Sequence, residues 1–213
     1  MQVSAEIRWF WRTTPSPDFE AWFREATPYS CPAGGGQLRT DEYLRDPNQD
    51  ELGLKRRGDK PGVEVKGKVA IMERGLAAEP WVGPIELWTK WTSKTLKLDS
   101  ASTVTTEKVR WLRKFDTSGL IPEEIPLNDK ELPVDAKRQL PSQGSNVELT
   151  QVKLLNSEAG EVWWTFGLEA FGTIQTVEDN LRKVADALAA RRPPSVGEAE
   201  LASYPLWLAR YLK

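Results

Sequence analysis

The chain of 213 residues has no histidine and a single cysteine, Cys31. Without imidazole there is no Ser-His-Asp or Cys-His nucleophile system, no His-ligated metal and no imidazole proton shuttle. Any catalysis falls to carboxylates, Lys, Tyr, Ser/Thr or a bound metal. One thiol excludes an internal disulfide framework and a zinc site built on several thiolates, which fits a reducing compartment. Cys31 also lacks basic neighbours that would lower its pKa, so no reactive role is expected of it. Long apolar runs are missing too: no stretch reaches about 18 residues, and Met1 to Arg12 carries Glu6, Arg8 and Arg12 where a signal peptide would be apolar. The expectation is a soluble, cytoplasmic protein with no membrane partner. Nor does one sign of charge dominate, since 29 basic residues face 31 acidic ones for a net charge of -2. No global positive field exists to hold nucleic acid, so any anion site must be local.

What is present suits a packed protein, with 39% hydrophobic and 28% charged residues, 15 Gly and 15 Pro. The length suits one domain spanning residues 1–213. Val3 to Arg12 alternates, with Val3, Ala5, Ile7, Trp9 and Trp11 on one face and Ser4, Glu6, Arg8, Phe10 and Arg12 on the other, which is the period of a strand. Seven further period-two runs follow: Arg39–Asp46, Glu51–Arg57, Val63–Val69, Ile85–Thr92, Thr105–Phe115, Asn146–Leu155 and Val162–Phe171. Turn residues such as those of Arg57 to Gly62 separate them. The succession reads as a meander-like antiparallel sheet or barrel.

Between the first two strands, Ser16-Pro17-Asp18 opens a short amphipathic helix with Phe19, Trp22 and Phe23 on one side. Gly34-Gly35-Gly36 lacks the Lys-Ser/Thr of a phosphate-binding loop and reads as a flexible connection. Ser118 to Ser145 holds Pro122, Pro126, Pro133 and Pro141 and little periodicity, so it reads as a surface excursion with a helical turn near Val134 to Leu140. Thr176 with Asp179 resembles a capping box, and Val177, Leu181, Val184 and Leu188 carry a helix to Arg192. Pro193-Pro194 stops it, and a last helical piece over Glu198 to Lys213 is interrupted by Pro205.

The two faces of the strands differ in kind. Trp9, Trp11, Leu52, Leu54, Val63, Val65, Ile85, Leu87, Val109, Trp111, Trp164, Phe166 and Leu168 form an apolar face that requires helices over it. The opposite face carries six acids and eleven bases. In an open sheet it would be wet; in a closed one it becomes a net-positive interior suited to a multiply charged anion. Trp88 and Trp163 share that polar parity, where an indole either stacks on a ligand ring or plugs the tunnel, and plugging is the preferred reading.

Several segments in order resemble one family. Glu6-Ile7-Arg8-Trp9-Phe10 resembles a Glu-x-Glu-x-Lys opening strand, Asp41-Glu42-Tyr43 an Asp-x-Tyr, Leu52-Gly53-Leu54-Lys55 a Leu-Arg-Ile-Arg strand, and Lys66-Gly67 a lysine before glycine. Lys108-Val109-Arg110 resembles a Lys-x-Arg, Gly167-Leu168-Glu169 a closing Glu-x-Glu, and Ser203-Tyr204-Pro205-Leu206-Trp207-Leu208 a Ser-Tyr-x-x-Leu segment. Together they resemble the CYTH superfamily of triphosphate tunnel metalloenzymes, which includes class IV adenylate cyclases and thiamine triphosphatases. The resemblance implies an α+β fold, an eight-stranded antiparallel β-tunnel with helices packed on its outer face. It implies a small polyphosphate or nucleotide ligand held by Arg8, Lys55, Arg57, Lys66, Lys108 and Arg110. It also implies Mg or Mn on Glu6, Glu86, Glu148 and Glu169, with a metal-bound water or hydroxyl attacking phosphorus.

The chain departs from that pattern where the metal would sit. Each family acid pair keeps one member: Glu6 but Arg8, Glu86 but Trp88, Glu169 but Gly167. Phe10 and Gly53 replace two expected bases, and Arg8 is a charge reversal that would repel a divalent cation. Three readings stay open: a metal-dependent triphosphate phosphohydrolase, a non-catalytic anion-binding protein in which Arg8 replaces metal charge, and a structural relic whose interior is filled by ion pairs of Glu6 or Glu169 with lysine.

Overall fold

Strand alternation sorts this chain into a greasy exterior and a charged interior, and the computed structural model describes that arrangement for residues 1–25, 36–48, 50–58, 60–99, 102–155 and 161–211. The elements in order are β1 (Gln2–Trp11), α1 (Pro17–Glu25), β2 (Gln37–Leu44), β3 (Leu52–Arg57), β4 (Val63–Ile71), β5 (Leu76–Ala78), β6 (Trp81–Gly83) and β7 (Glu86–Ser93). They continue with β8 (Thr103–Asp116), β9 (Glu123–Ile125), β10 (Gly144–Leu154), β11 (Val162–Gly172), α2 (Val177–Ala189), β12 (Glu200–Leu201) and α3 (Tyr204–Tyr211). All eight strands expected from period-two runs are present. Cys31 and the glycine connection at 34–35 lie outside the described residues.

Eight strands close a ring in the order β10-β11-β1-β7-β4-β3-β2-β8, completed by antiparallel pairing of β8 with β10 from Gly144↔Asp116 to Leu154↔Thr106. The fold is α+β, a closed antiparallel barrel with helices outside its wall. It is not a simple meander. β2, β3, β4 and β7 follow one another around the ring, as do β8, β10 and β11, while β1 lies between β7 and the last barrel strand β11 and β2 pairs with β8. Such pairing is set by contacts remote in sequence, which local alternation does not encode. The short β9 and β12 extend β8 and β1, and β5 with β6 forms a separate hairpin.

Outward residues of β1, β8, β10 and β11 build the main core with α1 and α2. Trp9, Trp11, Trp111, Trp164, Phe166 and Leu168 pack against Phe19 and Phe23 of α1 and Val177, Leu181, Val184 and Leu188 of α2. At roughly 25 cal/mol per Å² this apolar layer is the fold's main source of stability. Helical cover does not extend around the ring, so outward Leu52 on β3 stays 37% exposed. The fully buried Trp81 of β6, absent from the expected strands, stacks on Phe166 at 4.8 Å. Arg113 on the outer face of β8 fastens α1 by donating to the carbonyls of Phe23 (2.7 Å) and Arg24 (2.6 Å) while pairing with Glu124 at 2.7 Å.

Two helix boundaries differ from the sequence expectation. Thr176 makes no capping-box bond, because its hydroxyl is engaged with the backbone of Thr173. Pro205 does not interrupt the final helix. It sits in the first turn of α3 behind Ser203, where the missing N–H costs nothing, and β12 occupies part of the stretch ahead of it. In the Pro-rich excursion, the region near Val134 to Leu140 holds a single turn, with Arg138 N–H donating to Asp135 O at 3.0 Å.

The barrel's interior changes character along its axis. At one end the inward residues are apolar: Phe10, Tyr43, Val104, Val152, Leu154 and Trp163. Helix α3 seats Trp207 and Leu208 on them as a plug, with Phe10 stacked on Trp207 at 5.0 Å and Trp163 edge-on at 5.5 Å. Trp163 is therefore packing, and so is Trp88, fully buried with its indole N–H on Glu86 at 3.0 Å. Beyond the plug, the interior is charged.

Candidate functional site

Beyond the α3 plug the charged inner face encloses a cavity of about 310 Å³. Its wall carries eight basic side chains, Arg8, Arg39, Lys55, Arg57, Lys66, Lys90, Arg110 and Lys114, against four acidic ones, Glu64, Glu131, Glu148 and Glu169. Tyr204 and Pro205 of α3 form the floor next to Gly53.

The acids hold parts of this wall together. Glu148 on β10 receives Arg8 on one oxygen and Arg110 on the other, each at 2.9 Å. Those two guanidinium groups outweigh desolvation and hold its carboxyl well below the usual range. Glu169 is half-buried, and desolvation would raise its carboxyl, yet Lys90 at 3.3 Å, with Lys66 nearby, holds it down to about 2. Glu6 accepts from Ser4 at 2.6 Å and pairs with Lys66. Lys55 lies 2.8 Å from Glu64. Glu131 reaches Arg110 from a tight turn in which Asn128 accepts backbone N–H bonds from Lys130 and Leu132, with Glu131 itself at φ 59°.

Glu6 and Asp41 balance Lys66 and Lys108 from behind the wall. The cavity then retains seven bases against four acids. Burial, reinforced by Arg57 and Arg39, pushes the Lys55 ammonium down to about 8 despite Glu64. Lys114 is likewise lowered by burial, and its partner is the neutral Asn146 oxygen at 2.5 Å. Arg39 lies 3.4 Å from Asp41 through Nε and Arg57 3.9 Å from Glu64, yet among the described residues Nε and Nη1 of Arg39 and Nε of Arg57 are buried with no hydrogen-bond acceptor. Buried donors left unsatisfied cost about 1–3 kcal/mol each, more when charged.

Of the six bases expected to hold phosphate, the structure brings Arg8, Lys55, Arg57, Lys66 and Arg110 to one cavity. Lys108 stands apart. It is fully buried beneath an aromatic pair, bonded to the Tyr43 hydroxyl at 2.5 Å and 3.8 Å from the Tyr204 ring centroid. Burial holds its ammonium well below the usual range although Asp41 opposes this. Of the four acids expected to hold metal, Glu148 and Glu169 line the cavity, whereas Glu6 and Glu86 lie behind it. Glu86, Glu6 and Glu169 are successive cross-strand neighbours on β7, β1 and β11.

The donor set does not suit a divalent cation. Glu6, Glu148 and Glu169 are held by Lys66, by Arg8 with Arg110, and by Lys90. Glu86 is taken by the Trp88 indole, and burial raises its carboxyl, opposing ionisation. Among the described residues, no group of three or more Asp, Glu or Cys is placed to hold a metal ion.

Arg39, Lys90 and Lys114 belong to the eleven bases that the sequence places on the polar strand face but not to the six expected to hold phosphate, and the structure sets all three in the cavity wall. Glu131 had no periodic signal at all.

Solved structures of the S. pombe Pct1 RNA triphosphatase are similar to this chain at 9% identity, covering 89% of this chain and 77% of that one with a TM-score of 0.39. Pct1 in complex with the Spt5 CTD gives 11% identity, 90% and 80% coverage and a TM-score of 0.35. At such scores no function passes to this chain. It matches no family model and no curated protein. No helix among the described residues is long and apolar enough to cross a membrane.

Proposed function

We propose that the barrel is a receptor for a compact polyphosphate-containing anion, such as tripolyphosphate or the phosphate tail of a nucleotide, and that it binds without catalysing hydrolysis. The observation that carries this reading is the set of buried donors on Arg39 and Arg57 that make no hydrogen bond among the described residues, in the wall of a cavity whose bases exceed its acids by three. A buried cation surplus is costly unless an anion completes it. The forked guanidinium geometry suits phosphate oxygens, and Lys55 and Lys114 add point charges. A volume of about 310 Å³ lies at the small end of ligand pockets. It suits a few phosphate groups with any remaining moiety outside.

The receptor reading is preferred over a hydrolase because each candidate acid already accepts a hydrogen bond or an ion pair, so none is free to activate water. Isothermal titration with tripolyphosphate and ATP, in Mg²⁺ and in EDTA, followed by phosphate assay of the same samples, tests both halves. Saturable binding is expected, weakened about tenfold or more by Arg39→Ala or Arg57→Ala through loss of charge-assisted bonds. Absence of binding under every condition refutes the receptor, and steady phosphate release by wild-type protein refutes the non-catalytic half.

A further inference from the structure

The two positions at which this chain departs most sharply from an acidic site, 8 and 167, are direct cross-strand partners: Arg8 on β1 faces Gly167 on β11. The pairing has a steric reason. A Cβ at Gly167 would lie 2.6 Å from Cζ of Arg8 and 2.8 and 2.9 Å from its two terminal nitrogens. The guanidinium therefore lies against the bare backbone of β11, and any side chain at 167 would displace it. From there Nη1 donates to Thr165 Oγ1 at 3.1 Å and Nη2 to Glu148 at 2.9 Å, and the Tyr204 ring lies 5.1 Å from Cζ. Arg8 is 8% exposed and lines the cavity. It is near three of the four acids expected to hold a metal: Glu148 by direct contact, Glu6 two residues away on β1, and Glu169 two residues from Gly167 on β11.

We infer that the Arg8 guanidinium, seated over Gly167, is a built-in replacement for a divalent cation, so that this cavity holds its anion without metal. This rests on the receptor reading for the anion but not for the displaced metal. A guanidinium supplies one fixed positive charge and directional donors, and it takes up the carboxylate that would otherwise face a metal. Burial lowers a guanidinium's pKa, yet Glu148 outweighs it here and keeps Arg8 charged throughout the accessible pH range. Arg8 and Gly167 act as one unit: the arginine needs the missing side chain, and the glycine leaves space that only a group from β1 fills.

The test separates metal from anion. Mn²⁺ alone is titrated into wild-type, Arg8→Glu and Glu169→Gln proteins, with free Mn²⁺ read by electron paramagnetic resonance and folding by circular dichroism. Wild type is expected to leave Mn²⁺ free, and folded Arg8→Glu to bind it. A wild-type Mn²⁺ site abolished by Glu169→Gln overturns the inference, as does a folded Arg8→Glu protein that ignores Mn²⁺. Should Arg8→Glu not fold, Gly167→Ala decides, since it keeps all charges but pushes the guanidinium from its seat. Tripolyphosphate binding measured in EDTA should then fall about tenfold relative to wild type, the scale of one charge-assisted bond. Unchanged affinity in Gly167→Ala, or wild-type binding that requires Mg²⁺, overturns the inference. Failure of tripolyphosphate to bind at all refutes the receptor reading, while the Mn²⁺ titration still judges Arg8.

Discussion

Lys55 offers the sharpest quantitative check on the cavity's charge. Its ammonium is pushed down to about 8, by burial first and then by Arg57 and Arg39, against the pull of Glu64. A bound polyanion reverses that imbalance and returns Lys55 toward its ordinary value, so binding takes up a proton wherever the free protein has lost one. If the bound pKa is fully restored, raising pH from about 7 to about 9 weakens binding about tenfold, or about 1.4 kcal/mol. Titration calorimetry across that range, with tripolyphosphate as probe, measures this directly. The ratio of wild-type to Lys55→Gln affinities removes the phosphate's own ionisation and the contribution of Lys114, which act on both proteins. Buffers of different ionisation enthalpy should report uptake of about half a proton near pH 8 in wild type and little from this position in the variant. The ligand-free protein shows the opposite sign. The folded pKa lies below the unfolded one, so between about 8 and 10.5 the unfolded chain binds more protons and the Lys55 contribution to stability rises with pH. An affinity ratio that changes less than about twofold between pH 7 and 9 would refute the charge surplus at Lys55, given the tenfold scale expected.

Glu131 is an internal competitor for Arg110, contributed by the Pro-rich excursion. Glu131→Gln should tighten tripolyphosphate binding several-fold by calorimetry, on the roughly 1 kcal/mol scale of a partly exposed ion pair; weaker binding would show that Glu131 instead orders the site. Arg113→Met breaks two carbonyl bonds to α1 and leaves Glu124 buried without its partner. A loss of about 3 kcal/mol, or roughly 6 to 12 °C in thermal midpoint for a chain of this size, should appear in a circular dichroism melt. A midpoint within about 1 °C of wild type would remove Arg113 from the account of α1 docking.

How much was legible follows from what alternation encodes. Period two identified all eight barrel strands and separated Trp9, Trp111 and Phe166 outside from Glu6, Arg8 and Arg110 inside, because side-chain parity is local. Height along the barrel axis is not local. Lys108 and Arg110 share a parity, yet one residue pair along β8 separates a lysine sealed beneath Tyr43 and Tyr204 from an arginine on the cavity wall. The plug was hidden for a related reason: Pro205 reads as a break in a helix until Ser203 and the apolar barrel end show where α3 begins. The β5-β6 hairpin is too short for periodicity, and Glu131 acquires meaning only when its turn meets β8.

The interior ion pairs also explain why acids can remain in this barrel without serving a metal. Arg8 on β1 reaches Glu148 on β10 across β11. Lys66 on β4 reaches Glu6 on β1 across β7, and Lys90 on β7 reaches Glu169 on β11 across β1. Strands two apart in a flat sheet stand about 9.5 Å from one another, whereas on the concave side of a closed sheet their side chains converge. Each of these pairs therefore favours curvature and register together, since a one-residue slip would turn either partner outward. In this barrel the retained acids bind the wall to itself. The proposed anion would instead engage Arg39 and Arg57, whose long contacts to Asp41 (3.4 Å) and Glu64 (3.9 Å) leave buried donors without a hydrogen bond among the described residues, and Lys114, which meets only the neutral Asn146. Removing an acid should consequently act first on closure and only then on binding, and removing Arg39 or Arg57 should do the reverse.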